Sequence, residues 1–124
     1  MSLPDPLEIP VAVGPVSGRV TLPGSKSYTN RALPIAALAD GVSTISGALE
    51  SDDTRYMFEA LRQLGIEVEA DWDASIVRVA GRGGQIPAEC AELYLGNSGT
   101  SMRFLTAIAT LAYGEIRLDG TARM

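Results

Sequence analysis

Laid on itself with a shift of 73 residues, the chain matches residues 20–47 onto 93–120 without a gap. Eight of the 28 pairs are identical: Leu22/Leu95, Ser25/Ser98, Ile35/Ile108, Ala36/Ala109, Leu38/Leu111, Ala39/Ala112, Gly41/Gly114 and Gly47/Gly120. Alanine-rich helices resemble one another cheaply, so the weight rests on the Ser and Gly pairs that bracket the helical segment. Ser27/Thr100 adds a conservative pair. The shared unit reads strand, turn, helix, Gly, strand. The first copy continues helix, strand, strand, whereas the second stops after its second strand. A repeat unit cannot bury its apolar face alone. The pattern therefore predicts a mixed α/β fold, and it predicts that Met124 is not the natural C-terminus.

Local signals fill in the units. Leu7–Val13 alternates and reads as a strand broken by Gly14-Pro15, and Gly18–Leu22 reads as a second, ended by Pro23-Gly24. Asn30–Asp40 carries a broad apolar face at helical spacing, stopped at Gly41, with Pro34 expected to remove one backbone hydrogen bond and kink it. Val42–Leu49 reads as a strand. Ser51 is a plausible N-cap for a helix with Asp52 and Asp53 in its first turn, a buried face of Met57, Phe58, Leu61 and Leu64, and a stop at Gly65. Ile66–Ala70 and Ile76–Ala80 look like paired strands. Leu93–Leu95, a helix over 100–113, Gly114 and a strand over 115–118 complete the chain.

Composition closes off several classes of function. Lys plus Arg is 10 against 15 Asp plus Glu, so a net charge of −5 argues against non-specific nucleic-acid binding. There is no histidine, which removes Ser–His and Cys–His catalytic pairs and every His-ligated metal site. The single cysteine, Cys90, rules out an internal disulfide and fits a reducing, cytoplasmic setting. No apolar run reaches the ~20 residues needed to span a bilayer. The opening Met1-Ser-Leu-Pro-Asp-Pro6 has neither the basic region nor the apolar stretch of a signal peptide.

Two segments carry chemistry. In Pro23-Gly24-Ser25-Lys26-Ser27-Tyr28-Thr29-Asn30-Arg31, a helix start offers free N–H groups, Gly24 permits close approach, and Lys26, Ser27 and Arg31 supply a compact cation, a hydroxyl and a planar fork. Arg31 lies four residues beyond Ser27, on the same helix side. Such a set suits a small multi-anionic molecule; it equally suits a capping turn with solvated charges. Leu95-Gly96-Asn97-Ser98-Gly99-Thr100-Ser101-Met102-Arg103 stands at the same place in the second copy. Neither is a Walker A loop or a dinucleotide fingerprint. If the repeat is real, the two turns converge on one cleft. Asp52-Asp53 reads best as helix N-terminal charge, with an acid/base pair or a metal site as the sharper alternative.

Taken together, Leu22-Pro-Gly-Ser-Lys-Ser27 with Thr29-Asn-Arg-Ala-Leu33, Ser51-Asp-Asp-Thr-Arg55, Leu95-Gly-Asn-Ser-Gly-Thr100 with Met102-Arg103, and Gly120-Thr-Ala-Arg-Met124 resemble, in order and spacing, the motifs of the 5-enolpyruvylshikimate-3-phosphate synthases, a family of enolpyruvyl transferases. The resemblance covers nearly all of the chain from about Leu7. It implies an α/β (α+β) fold of repeated βαβαββ units, here one full unit and part of a second. In the family, two domains of three such units enclose the active site. Residues 1–19 would hold a strand of the far domain, and 20–124 would be part of the N-terminal substrate-binding domain, as units 20–92 and 93–124.

The resemblance also implies the chemistry. Shikimate-3-phosphate adds to C2 of phosphoenolpyruvate through a tetrahedral intermediate and phosphate leaves, without metal or organic cofactor. Lys26 would contact both substrates and serve in proton transfer and charge stabilisation. Ser27 and Arg31 would bind the shikimate carboxylate side. Asn97 and Gly99 would line the phosphoenolpyruvate pocket, with Gly99 the close-packed position at which the inhibitor glyphosate is most sensitive to added bulk. Asp53 and Arg103 would support this wall. The chain departs from the family's usual Ala at Ser98 and Ser101, Pro at Phe104 and aliphatic residue at Pro34. A family arginine and the catalytic Asp and Glu would lie beyond Met124, so this chain needs the remainder of its own chain to catalyse. The competing readings are the sister transferase acting on UDP-N-acetylglucosamine, which the Ser27 and Thr29-Asn-Arg31 pattern fits less well, and a non-enzymatic anion-binding domain.

Overall fold

A computed structural model describes residues 5–124. Residues 1–4, which open both the segment read for a signal peptide and the segment 1–19, lie outside the described residues. The order of elements is α1 (Lys26–Leu38), β1 (Asp40–Ser46), α2 (Asp52–Gln63), β2 (Glu67–Asp71), β3 (Ile76–Arg82), β4 (Cys90–Tyr94), α3 (Gly99–Ala109) and β5 (Glu115–Asp119). The 73-residue shift carries Lys26 onto Gly99, the first residues of α1 and α3, and their N-caps Ser25 and Ser98 onto each other.

Helix ends follow their side chains. Ser25 has extended backbone and its hydroxyl accepts from the Tyr28 N–H at 3.4 Å, so α1 starts at Lys26. This is four residues before the expected Asn30, because the polar first turn has no apolar periodicity to announce it. The helix runs through Pro34 to Leu38, burying Thr29, Asn30, Leu33, Pro34, Ala36 and Ala37. Pro34 removes the donor for the Asn30 carbonyl without ending the helix. Helix α2 is held at its start by a reciprocal capping box between Ser51 and Thr54. At its end, Gly65 takes φ 83°, with Gly65 N–H donating to the Arg62 carbonyl and Ile66 N–H to that of Leu61. Helix α3 stops at Ala109, short of the expected Tyr113.

Strands β1 and β2 both pair antiparallel with β3, giving the order β1-β3-β2. Val77 and Val79 of the central strand are fully buried under the helices while Arg78 faces solvent, the alternation of a one-sided sheet. Strands β4 and β5 pair in parallel, Cys90 opposite Glu115 and Tyr94 opposite Asp119, with α3 as the crossover. The core is aliphatic, as the low aromatic content requires: Leu33, Met57, Leu61, Leu64, Leu93, Leu95 and Leu105 are buried to 1% exposure or less.

Two expected strands are absent. Leu7–Val13 and Gly18–Leu22 join no ladder, and Val11, Val13, Val16, Val20 and Leu22 are all 80% exposed or more. A β-rich pattern states a preference, but a strand exists only with a partner edge for its N–H and C=O groups. Pro10, Pro15 and Pro23 moreover have no N–H to donate. Among the described residues no helix is long and apolar enough to cross a membrane.

Candidate functional site

The starts of α1 and α2 are fastened side by side by backbone contacts that only small residues allow. A Cβ at Gly24 would fall on the Gly47 carbonyl, so this close approach needs glycine. Thr29, buried, donates its hydroxyl to the Ser25 carbonyl at 2.9 Å and accepts from the Leu49 N–H at 3.0 Å. Thr54, fully buried, accepts from the Ser51 N–H at 2.8 Å and bonds the Leu49 carbonyl at 2.9 Å. Across this junction Lys26 Nζ meets Asp53 Oδ2 at 2.7 Å, with the two side chains 53% and 25% exposed. A pair this wet contributes at most about 1 kcal/mol to stability, so its consequence is the placement of a cation.

Helix α3 brings its start to the same place. Gly96 takes φ 58°, and a Cβ there would strike the Tyr56 ring, which packs edge-on against Tyr94 at 6.0 Å. The turn is pinned by Leu95 N–H to the Asp119 carbonyl at 2.8 Å and Thr121 N–H to the Gly96 carbonyl at 2.7 Å. Ser98 occupies the N-cap but caps nothing. Its hydroxyl instead sits 2.7 Å from that of Ser101, both buried, and Ser101 Oγ donates to the Asp53 carbonyl at 3.4 Å. The N–H groups of Gly99, Thr100 and Ser101 are thereby left without a hydrogen-bond partner among the described residues. Three helix N-termini converge, α1 and α2 capped and α3 open, a geometry that favours anions.

The residues expected from the sequence fall into this picture unevenly. Lys26 and Asp53 are in contact, and Ser101 ties the 97–101 turn to them. Ser27 is exposed, and its carbonyl accepts from Arg31 Nη1 at 2.9 Å. Arg31 lies over the ring of Phe104, 5.7 Å from Cζ to the centroid. Asn97 is exposed in the turn, and Gly99 is exposed at the first position of α3. A Cβ on Gly99 would meet nothing within 4 Å, so the close packing expected there is not supplied by the described residues. Arg103 is exposed and makes no ion pair or side-chain hydrogen bond among them. Asp52 is exposed on the first turn of α2, as the helix-charge reading has it, and no group of three His, Cys, Asp or Glu among the described residues is placed to hold a metal. Thr29 and Thr54 escaped the sequence reading as site-builders. For Thr54 a signal existed, the Ser-x-x-Thr spacing from Ser51.

A family model described as EPSP synthase (3-phosphoshikimate 1-carboxyvinyltransferase) matches residues 11–124. A 3-phosphoshikimate 1-carboxyvinyltransferase of Nostoc punctiforme is 49% identical over 120 residues, 97% of this chain and 28% of that protein. One of Thiobacillus denitrificans is 55% identical over 108 residues, 87% of this chain and 25% of its own length. Among solved structures, EPSP synthase from Acinetobacter baumannii superposes with a TM-score of 0.75 at 33% identity, covering 86% of this chain and 24% of that one. The chain thus spans about a quarter of the length of the curated relatives it matches.

Proposed function

The chain belongs to the EPSP synthase family, and from that premise we propose that it forms one wall of a site that transfers the enolpyruvyl group of phosphoenolpyruvate to the 5-hydroxyl of shikimate-3-phosphate and releases phosphate. The observation that carries this reading is the meeting of three helix N-termini around Lys26, with the open start of α3 beside it. Both substrates carry a phosphate and a carboxylate, and such groups are held by N–H donors and fixed cations.

In this reading Lys26 contacts both substrates. It moves a proton and stabilises charge as the oxygen of the hydroxyl bonds to C2 and, later, as phosphate leaves. Asp53, 2.7 Å away, sets its direction. Arg31 and Ser27 take the carboxylate side of shikimate-3-phosphate. Asn97 and Gly99, on the exposed turn before α3, line the phosphoenolpyruvate pocket that glyphosate would share; the open space at Gly99 supports it as a point of ligand approach. Arg103 supports the same wall from α3. Residues 1–19 belong to a far domain and 20–124 to the substrate-binding one, and the full-length enzyme works in the cytoplasm. The chemistry needs no cofactor.

Lys26→Met at the full length of the relatives tests the assignment. Turnover should fall by a factor of 10³ or more while the melting temperature holds, because Lys26 is half exposed and its pair contributes little to stability. Near-normal turnover in that variant would remove Lys26 from the mechanism.

A further inference from the structure

We propose that Phe104 is a positioning residue for Arg31, holding its guanidinium over the ring so that its free donors stay open to a carboxylate. A long arginine side chain on an exposed helix face ordinarily samples many rotamers, and ordering it on binding costs affinity. Here two contacts fix it beforehand. Nη1 donates to the Ser27 carbonyl at 2.9 Å, one turn back on α1. The Phe104 ring of α3 lies under the guanidinium, 5.7 Å from Cζ to the centroid, within cation–π range. Phe104 is itself partly buried against the core, so the ring is a firm platform.

The pair closes the end nearest the helix N-termini of a groove of about 420 Å³ between α1 and α3, whose floor is apolar through Pro34, Leu38 and Ile108. Apolar surroundings on one side and a ring on one face leave the donors in the guanidinium plane as the polar outlet. One of five N–H donors is used by Ser27, leaving four for a ligand. Free guanidinium donors held in one place select a carboxylate that can be gripped by two parallel bonds. The repeat sets Arg31 and Phe104 at equivalent positions, 73 apart, but their contact comes from the packing of α1 on α3.

The identity of the carboxylate rests on the function proposed above, so two measurements separate the claims. At the full length of the relatives, Phe104→Leu should raise KM for shikimate-3-phosphate about two- to fivefold, with kcat and KM for phosphoenolpyruvate unchanged. Phe104→Trp, which keeps a π face, should stay at the parent value. An unchanged KM in Phe104→Leu overturns the proposal. So do equal defects in the Leu and Trp variants, or a joint shift of kcat and both KM values. In the present chain, the Arg31 Nε–H signal in NMR, assigned by its loss in Arg31→Lys, should carry a ring-current shift that vanishes in Phe104→Leu. The same signal in parent and variant overturns the positioning whether or not the enzyme turns over shikimate-3-phosphate. If the shift vanishes as expected but the full-length parent shows no such turnover, Phe104 does orient Arg31 and the proposed function is what fails.

Discussion

Thr54 carries the loop between β1 and α2 on one hydroxyl. It accepts from Ser51 N–H and bonds the Leu49 carbonyl, while Leu49 N–H is taken by Thr29. Thr54→Val keeps the shape, removes the hydroxyl and strands both backbone groups in a part-buried place. It should cost about 1–3 kcal/mol in urea denaturation, with Thr54→Ser recovering most of it. A loss below about 0.5 kcal/mol in Thr54→Val would mean that water or relaxation satisfies those groups, and that Thr54 is not what fixes the α1–α2 junction. At this scale the sequence was half legible. Lys26, Ser27 and Arg31 announced themselves because cation, hydroxyl and fork sit beside a Gly-Ser turn. By local pattern Asp53 read best as helix charge, and only the resemblance placed it at the site, because its partner Lys26 lies 27 residues away and local pattern holds no record of such a distance. Ser98 and Ser101 stood out as departures from the family's usual Ala, and the structure has them buried and bonded to each other.

Among the elements, β3 and α1 approach backbone to backbone. A Cβ at Gly81 would fall on the carbonyl oxygens of Ala36 and Ala39, so the last turn of α1 rests directly on the strand. Gly81→Ala must push helix and sheet apart and should cost about 1–3 kcal/mol, lowering the melting temperature by several degrees. Gly18→Ala is the matched control: a Cβ there meets nothing within 4 Å, and its melting temperature should stay within a degree or two of the parent. Equal melting temperatures for the two variants would contradict the close contact of α1 with β3. The elements that sequence did reveal are those closed by local chemistry: the Ser51 cap and Gly65 stop of α2, and the β2–β3 pair, although β3 runs on to Arg82, past the expected Ala80. The two strands read before Lys26 fail for a different reason. Their alternation is genuine, but pairing is decided by which edge is available, and β4 has β5 where Gly18–Leu22 has no partner. The repeat was legible in the helices, their caps and the strand that follows each, β1 and β5, and failed only for the strand before α1.

For the whole molecule, charge decides what the chain can do alone. Phosphoenolpyruvate and shikimate-3-phosphate each bring a phosphate of about −1.5 to −2 and a carboxylate of −1. Against them the described wall sets Lys26, which is already paired with Asp53, together with Arg31, Arg103 and the open start of α3, on a chain whose net charge is −5. Two such anions together outweigh one half-neutralised lysine and two arginines, so further compensating cations must come from elsewhere. The relatives are about four times as long. The 124-residue chain should therefore show no phosphate release above background with both substrates present. The same residues at the full length of the relatives should turn over, and should stop on Lys26→Met. Release by the short chain at even a hundredth of the full-length rate would mean that these three helix ends hold a complete site, and that the counting of charges above is wrong.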